Sequence, residues 1–237
     1  MAVFGKAAQP GTAQEEAYLA ILSAIRQGRY RPGDRLVPEV IAGQLGMSRM
    51  PVREAFQRLA TEGLVQIRPN RGCVVSGLTI EEIVEVFEIR SVLEGLAVRL
   101  AMPHVDARVI AELERYLDLM DRAEQAGGDA WFAHHQAFHE HICVLSGRPK
   151  LIRQISALHI AIEPYMRVWL HHIEKPSTGT RAQHVVVDAL RTGDAAHAEQ
   201  AMRDHVMRTT PHLVDFLRRE NIASEAPRQR RLEPLPA

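Results

Sequence analysis

Four histidines lie within eight positions of one apolar segment, residues 131–145, which reads WFAHHQAFHEHICVL. On a helix, which turns about 100° per residue, His135 and His139 fall within the apolar stripe, whereas His134 and His141 fall at its edge. Two inward imidazoles at i, i+4 can reach one metal ion. A buried neutral histidine is also commonly satisfied by a carbonyl or a carboxylate, so the pair alone leaves a metal site and a structural role open.

Two later helical segments carry histidines that would complete a metal site. His184 lies nine residues before Gly193, and His205 lies twelve residues after it. Because Gly193 and Asp194 break the helical pattern, the two segments predict an antiparallel hairpin in which both imidazoles lie at comparable heights. His184 and His205 could therefore face His135 and His139 inside one helical bundle. His212, about two turns beyond His205 on the same face, is the nearest alternative.

The bulk composition is that of an ordinary soluble protein, with 46% hydrophobic and 24% charged residues. The N-terminus lacks the apolar core of a secretion signal, and no apolar run approaches the roughly 20 residues that span a bilayer. Two cysteines do not make a disulfide framework. These features predict a cytoplasmic protein with no membrane partner. The formal net charge is +0, but residues 1–78 carry ten basic and six acidic side chains, a surplus that suits an anionic partner.

Residues 13–78 carry the pattern of a small DNA-binding domain, after a flexible N-terminus at residues 1–12. A capping-box pattern at residues 12–15 begins one helix, Gly46 closes a second, and Ser48 caps a third. The following segment, LVQIRPNRGCVV, predicts two strands joined by a tight turn. Three helices followed by a hairpin predict a winged helix-turn-helix.

The third helix of this domain presents two arginines at its N-terminal end. Arg49 and Arg53 share its outer face, and a guanidinium fork placed there matches the O6/N7 edge of guanine in the major groove. Ser48 and the helix N-terminus can contact phosphate. An alternative is that the two arginines only pair with Glu54 or Glu39 on a solvated face.

The turn of the predicted hairpin adds two further candidates for DNA contact. Arg71 is placed to reach the DNA backbone or the minor groove. Gly72, which has no side chain, lets the turn approach the DNA closely.

From Thr79, where a second capping box begins, to about Leu217, helical patterns alternate with short breakers. The breakers are Pro103, residues 127–128, residues 147–149, residues 176–179 and Gly193. Roughly six amphipathic helices joined by short loops predict an antiparallel all-α bundle over residues 79–220, so the chain is mainly α. The polar, proline-rich tail at residues 221–237 is predicted to be disordered.

Residues 33–75, from GDRLVPEV to PNRGCVV, resemble the DNA-binding domain of GntR-family bacterial transcription regulators. The pieces SRMPVREAFQRLATEGLV and PNRGCVV are the most specific. The resemblance implies DNA contacts at Ser48, Arg49, Arg53 and Gly72. The chain departs from the family at residues 37–40, which lack the Glu-Arg pair of many members, and leaves Arg35 as the substitute phosphate contact.

The second half resembles the FCD domain, the all-helical effector domain of FadR-type GntR regulators. The resemblance rests on HHQAFHEHICVLSGRPKL, with EIRSVLEGLAVRLA before it and AQHVVVDALRTGDAAHAEQAMRDHV after it. Many members bind a divalent metal, and the matching positions are His135, His139, His184 and His205. Most of them have aspartate where this chain has His135. Imidazole in place of carboxylate favours zinc or nickel over magnesium, calcium or manganese.

Arg90, in EIRSVLE, occupies the arginine that often faces the effector cavity in this family. A fixed guanidinium beside a metal with open positions is a receptor for a carboxylate, so the resemblance implies a small organic acid as effector. The alternative is an ion pair with Glu94, at i+4. Arg167 and Tyr165 are further candidates for the cavity.

These observations predict a ligand-responsive transcription regulator, a repressor, and not an enzyme. A homodimer would place two winged helices on a palindromic operator. Two alternatives stay open at this point. One is a regulator with an acyl-CoA effector and no metal, and the other is a metalloenzyme that uses the histidine cluster.

Overall fold

The computed structural model describes residues 12–26, 28–68, 72–125, 129–172 and 179–220. The chain forms two compact units, which divide between Gly77 and Leu78. Within the described ranges, no helix is both long and apolar enough to cross a bilayer. The N-terminal segment predicted to be flexible, up to residue 11, and the tail predicted to be disordered lie outside the described residues.

The N-terminal unit is a winged helix-turn-helix, as the sequence predicts. Its elements are α1 (Ala13–Arg26), β1 (Arg35–Leu36), α2 (Pro38–Leu45), α3 (Arg49–Thr61), β2 (Val65–Arg68) and β3 (Gly72–Val75). The strands form an antiparallel sheet in the order β1-β3-β2. Arg35 pairs with Val74, and Ile67 pairs with Cys73.

Local sequence signals explain where the helices of this unit begin and end. The Thr12 hydroxyl accepts a hydrogen bond from the Glu15 amide at 3.3 Å, which confirms the predicted cap of α1. Gly46 ends α2 in the left-handed region, with φ of 65°, where a side chain would be strained. Ser48 is extended at the N-cap of α3. The inward face of α3 consists of Val52, Ala55, Phe56 and Leu59.

The C-terminal unit is an all-α bundle, which confirms the predicted architecture. Its helices are α4 (Ile80–Ala101), α5 (Ala107–Gln125), α6 (Asp129–Leu145), α7 (Pro149–His172), α8 (Gly179–Arg191) and α9 (Ala195–Glu220), with a short 3-10 helix at Met102–His104. The capping box that begins α4 is complete. The Glu82 amide donates to the Thr79 hydroxyl at 3.2 Å, and the Thr79 amide donates to Oε2 of Glu82 at 2.7 Å.

Helices α4 and α9 form the most extensive helix pair in the described part of the chain. Their close approach depends on Gly95, because a Cβ atom there would lie 2.7 Å from Cγ of Arg203. Large side chains of the bundle core, among them Phe87, Leu113, Phe138, Met202 and Leu213, are less than 2% exposed. This packing fixes the positions of Glu94 on α4 and His205 on α9.

Replacing Gly95 with alanine tests the α4–α9 contact. Alanine at an ordinary helical glycine stabilises by about 0.5–1 kcal/mol, but here the new methyl group meets the Arg203 stem, so we expect destabilisation by about 1–3 kcal/mol. In an Arg203→Ala background the same change should be neutral or stabilising. Urea unfolding of the four proteins measures this sign change. An equal cost in both backgrounds would contradict the steric explanation.

Candidate functional site

A fully buried carboxylate, that of Glu94, lies at the centre of the bundle. Nε of Arg90 donates to Oε1 of Glu94 at 2.9 Å, from one turn earlier on α4. Nδ1 of His139, on α6, lies 2.7 Å from Oε2. Nε2 of His159, on α7, lies 2.8 Å from Oε1. Three helices therefore contribute one partner each to a single acidic group.

This environment keeps Glu94 ionised. Burial alone would raise the pKa of Glu94, but the Arg90 guanidinium, followed by His159 and His139, holds it well below its usual range. An ionised carboxylate only accepts hydrogen bonds, so His139 donates from Nδ1. In the neutral ring, the form that binds metals, the opposite nitrogen of His139, Nε2, carries the lone pair.

The lone pair of His139 points towards α9. Nε2 of His139 lies 3.2 Å from Nε2 of His205, and the two rings are stacked with centroids 5.1 Å apart. The His135 ring, one turn before His139, is 4.6 Å from its ring and stacks on Trp131 at 4.8 Å. One ligand nitrogen from each of His135, His139 and His205 lies within 4.8 Å of the other two.

These three imidazoles fit a divalent metal of the zinc type. Two nitrogens bound at about 2.0–2.1 Å in a tetrahedral site are about 3.3 Å apart, close to the 3.2 Å between His139 and His205. Burial lowers the pKa of His205 to about 3 and that of His135 well below its usual value, so both rings are neutral, the form that binds metals. The hydrogen bond that His139 donates to Glu94 is the outer-shell contact typical of ligating histidines.

His184, predicted as the fourth ligand, does not reach this cluster. Its side chain is exposed on α8, and the residue before it, Gln183, is buried instead. Gln183, Val186, Val187 and Leu190 form the inward face of α8. Counting residues from the break at Gly193 predicts the height of a side chain in the hairpin but not its direction, and one residue corresponds to about 100° of rotation.

His159 is the site residue that the sequence prediction missed. Its Nε2 atom lies 3.0 Å from Nη2 of Arg90 as well as beside Glu94. Burial, followed by the charge of Arg90, lowers the pKa of His159 to about 4. The available signal was its spacing, since His159 lies between the buried residues Ile155 and Ile162 at helical intervals.

Arg90, predicted to bind the effector, is 5% exposed and bonded to Glu94, so the ion pair left open as the alternative is present. It also lines a small pocket of about 20 Å³, room for about one water molecule. The pocket is further lined by Phe132, His135, Gln136, His159, Ile162, Glu163 and Met166. Of the other candidates, Arg167 donates to Glu163 at 2.9 Å, and the Tyr165 hydroxyl accepts from the Leu78 amide at 2.5 Å.

Three of the predicted DNA-contacting residues of the N-terminal unit lie on an exposed face. Ser48, Arg49 and Arg53 are exposed at the start of α3. Nη1 of Arg49 donates to Oε1 of Glu39 at 3.1 Å, with the two side chains 63% and 51% exposed. Such exposed pairs contribute about 0–1 kcal/mol, so Arg49 can exchange this partner for DNA.

A groove beside α3 is rich in arginine. Arg35 and Arg53 line it together with Glu39, Gln57, Ile67 and Arg68. Gly72 begins β3, whereas Arg71 lies outside the described residues. Arg68 is an arginine that the sequence prediction did not single out.

Comparison with known proteins agrees with both units. The model for the family described as bacterial regulatory proteins, gntR family, matches residues 13–75, and the FCD domain model matches residues 85–208. The chain is 33% identical to a probable D-xylose utilization operon transcriptional repressor of Paenarthrobacter nicotinovorans over 192 residues, 81% of this chain and 84% of that protein. It is 25% identical to the Escherichia coli transcriptional repressor GlaR over 206 residues, 83% of this chain and 93% of that protein.

Two solved structures share this fold. One is E. coli McbR/YncC, with a TM-score of 0.76 and 24% identity, covering 87% of this chain and 99% of that chain. The other is a GntR-type putative transcriptional regulator from Rhodococcus sp. RHA1, with a TM-score of 0.70 and 26% identity, covering 86% and 99%. The relatives carry the names of transcription regulators, not of enzymes.

Replacing Glu94 with glutamine tests the buried carboxylate. The change keeps the shape but leaves the Arg90 guanidinium buried without its counter-charge, so we expect a loss of about 3–5 kcal/mol in unfolding free energy. Glu88→Gln, on the exposed side of the same helix, should change stability by less than about 0.5 kcal/mol. Urea unfolding in the presence of a chelator measures both. Equal stabilities of the two variants would refute the central role of Glu94.

The buried carboxylate also predicts how the stability difference between wild type and Glu94→Gln depends on pH. Because the pKa of Glu94 is lower in the folded state than the ordinary 4.5, its contribution to stability is present above about pH 4.5 and is lost as the pH falls through the lower folded-state value. The stability difference between wild type and Glu94→Gln should therefore shrink on acidification below pH 4.5. A difference that stays constant down to pH 3 would contradict this.

Proposed function

Because the chain belongs to the GntR family of bacterial regulatory proteins and carries an FCD domain, it is a DNA-binding transcription regulator, and we propose that it is a repressor relieved by a small carboxylate held at a divalent metal. The observation that carries the metal proposal is the pair of Nε2 atoms, of His139 and His205, 3.2 Å apart and backed by Glu94. We assign DNA binding to residues 13–78 and effector binding to residues 79–220.

The proposed ligands of the metal, zinc or nickel, are His135, His139 and His205. Three imidazoles leave a fourth tetrahedral position, at which a bound metal supplies an electrophilic site for a carboxylate. Glu94 orients the His139 ring and fixes its tautomer. His184 has no part in this site, because its side chain is exposed.

Arg90 supports the choice of an anionic effector. Its guanidinium lines the pocket that His135 also lines, so a carboxylate beside the histidines would lie next to a fixed positive charge. The pocket holds about one water molecule as it stands, so binding requires the lining side chains to move apart. A ligand that binds the opened arrangement better shifts the population towards it, and only by that difference in affinity.

Repression is the proposed direction because two relatives are named as transcriptional repressors. We propose that a homodimer binds a palindromic operator and that Arg49 and Arg53 read guanine in the major groove. The remaining contacts go to the DNA backbone and the groove edge, from Ser48, Arg35, Arg71 and Gly72.

Arg49→Ala tests the DNA-reading role. An operator is first selected from random DNA with the wild-type protein. Because a bidentate arginine–guanine contact discriminates by about 1–3 kcal/mol, we expect operator affinity to fall by roughly 5–150-fold with little change on unrelated DNA. Arg108→Ala, in the helical unit, is the matched control. Retained operator selectivity in Arg49→Ala, measured by fluorescence anisotropy at fixed salt, would remove Arg49 from the reading surface.

His139→Ala tests the metal site. After loading with zinc and desalting, wild type should retain about one metal per chain, whereas His139→Ala should retain little, because it removes the central ligand. His184→Ala should bind zinc as wild type does. Elemental analysis measures the content, and thermal unfolding with and without zinc checks that the metal stabilises the fold. If wild type retains no metal, the histidines form only a hydrogen-bonded chain and the metal proposal fails.

A further inference from the structure

The most exposed large apolar side chain in the described part of the chain is that of Met50, at the start of α3. It is 64% exposed, whereas Val40, the next in order, is 55% exposed. Single exposed apolar side chains are ordinary on a protein surface. Met50 differs from the others in its position, because it lies in the first turn of the helix that carries Arg49 and Arg53.

The periodicity of α3 points Met50 directly away from the core of the N-terminal unit. The buried residues of this helix are Val52, Ala55, Phe56 and Leu59. At 100° per residue, Met50 lies about 170° from the centre of that buried face, and Arg53 lies about 110° from it. The two side chains are therefore about 60° apart and one turn apart, so the thioether and the guanidinium are neighbours on the outer face.

The chemistry of a methionine side chain restricts what it can contact in DNA. The N-terminal residues of a recognition helix contact base edges in the major groove. Base edges there carry hydrogen-bond donors and acceptors, and covering them with an apolar group that gives no hydrogen bond in return costs free energy. The one apolar group in the major groove is the C5-methyl group of thymine. Met50 is thus matched to thymine and to none of the other three bases.

We propose that Met50 packs against the C5-methyl group of a thymine in each half of the operator and so selects an A·T base pair at that position. The inference rests on the proposed function, in which α3 enters the major groove, and adds a base to the guanine contacts of Arg49 and Arg53. Residues 50 and 53 are about 4.5 Å apart along the helix axis, and successive base pairs are about 3.4 Å apart. We therefore expect the thymine within about one or two base pairs of the guanine that Arg53 contacts.

Removing a single methyl group from the DNA tests this contact. An operator is selected from random DNA with the full chain, and each thymine is then replaced in turn by deoxyuridine, which lacks only the C5-methyl group. For wild type we expect the dissociation constant to rise roughly fourfold at one thymine per half-site, the effect of exposing one methyl-sized group. Fluorescence anisotropy at fixed salt measures each affinity.

Two variants of position 50 show whether the apolar side chain causes this preference. Met50→Gln has a similar length but a polar end, so it should bind the thymine and deoxyuridine operators equally, while Arg49 and Arg53 keep its binding measurable. Met50→Leu stays apolar and should keep the preference for thymine. Leu19→Ala, at a residue of α1 that is 49% exposed, is the control and should match wild type. Circular dichroism checks that each variant is folded.

The outcomes separate this inference from the function on which it rests. If no operator is selected, or if Arg49→Ala binds it as wild type does, the reading role of α3 fails and the Met50 contact fails with it. If Arg49→Ala loses selectivity but wild type and Met50→Gln respond alike to deoxyuridine at every thymine, the Met50 contact alone is overturned. A response that disappears in Met50→Gln at one thymine per half-site, and remains in Met50→Leu and Leu19→Ala, supports it.

Discussion

The interior of the helical unit depends on compensating one buried negative charge. Removing a carboxylate from water costs several kcal/mol, and Glu94 recovers this cost only through well-placed partners. Those partners come from α4, α6 and α7, so the relative positions of three helices are tied to one group. Arg90 supplies the counter-charge, and ring nitrogens of His139 and His159 lie within hydrogen-bond distance of the two carboxylate oxygens. The packing at Gly95, where α4 approaches α9, brings His205 to the same place.

The same constraint divides the histidines into different chemical roles. Glu94 accepts a hydrogen bond from Nδ1 of His139, so the other ring nitrogen of His139 faces His205. Burial lowers the pKa of His135 and His205 and keeps both rings neutral. The charges of Glu94 and Arg90 cancel. A divalent ion on three neutral imidazoles would therefore retain its full double charge in a buried site, which favours an anionic ligand. This charge balance gives a physical reason for imidazole at position 135, because the carboxylate of the site lies in the outer shell instead.

The sequence predicted the architecture well, because caps, breakers and apolar periodicity are local signals. The direction of His135 and His139 followed from their own helix, and His205 followed from the apolar face it shares. His184 lies exposed, outside the cluster, because its expected placement depended on counting across a loop, which leaves the rotation of α8 undetermined. The central place of Glu94 could not be predicted from the sequence, since a glutamate is ordinarily exposed and its burial depends on side chains from two other helices. His159 was missed although its helical spacing from Ile155 and Ile162 was an available signal.

Between residues 89 and 96, α4 reverses the ordinary arrangement of a surface helix. Charged side chains, Arg90 and Glu94, point inward, and apolar ones, Ile89, Val92 and Leu96, point outward. An inward ion pair is a weak source of stability, and an outward apolar stripe is a liability for a monomer. A helix with both features is accounted for when each face meets a partner, an anion-binding site inside and another protein surface outside.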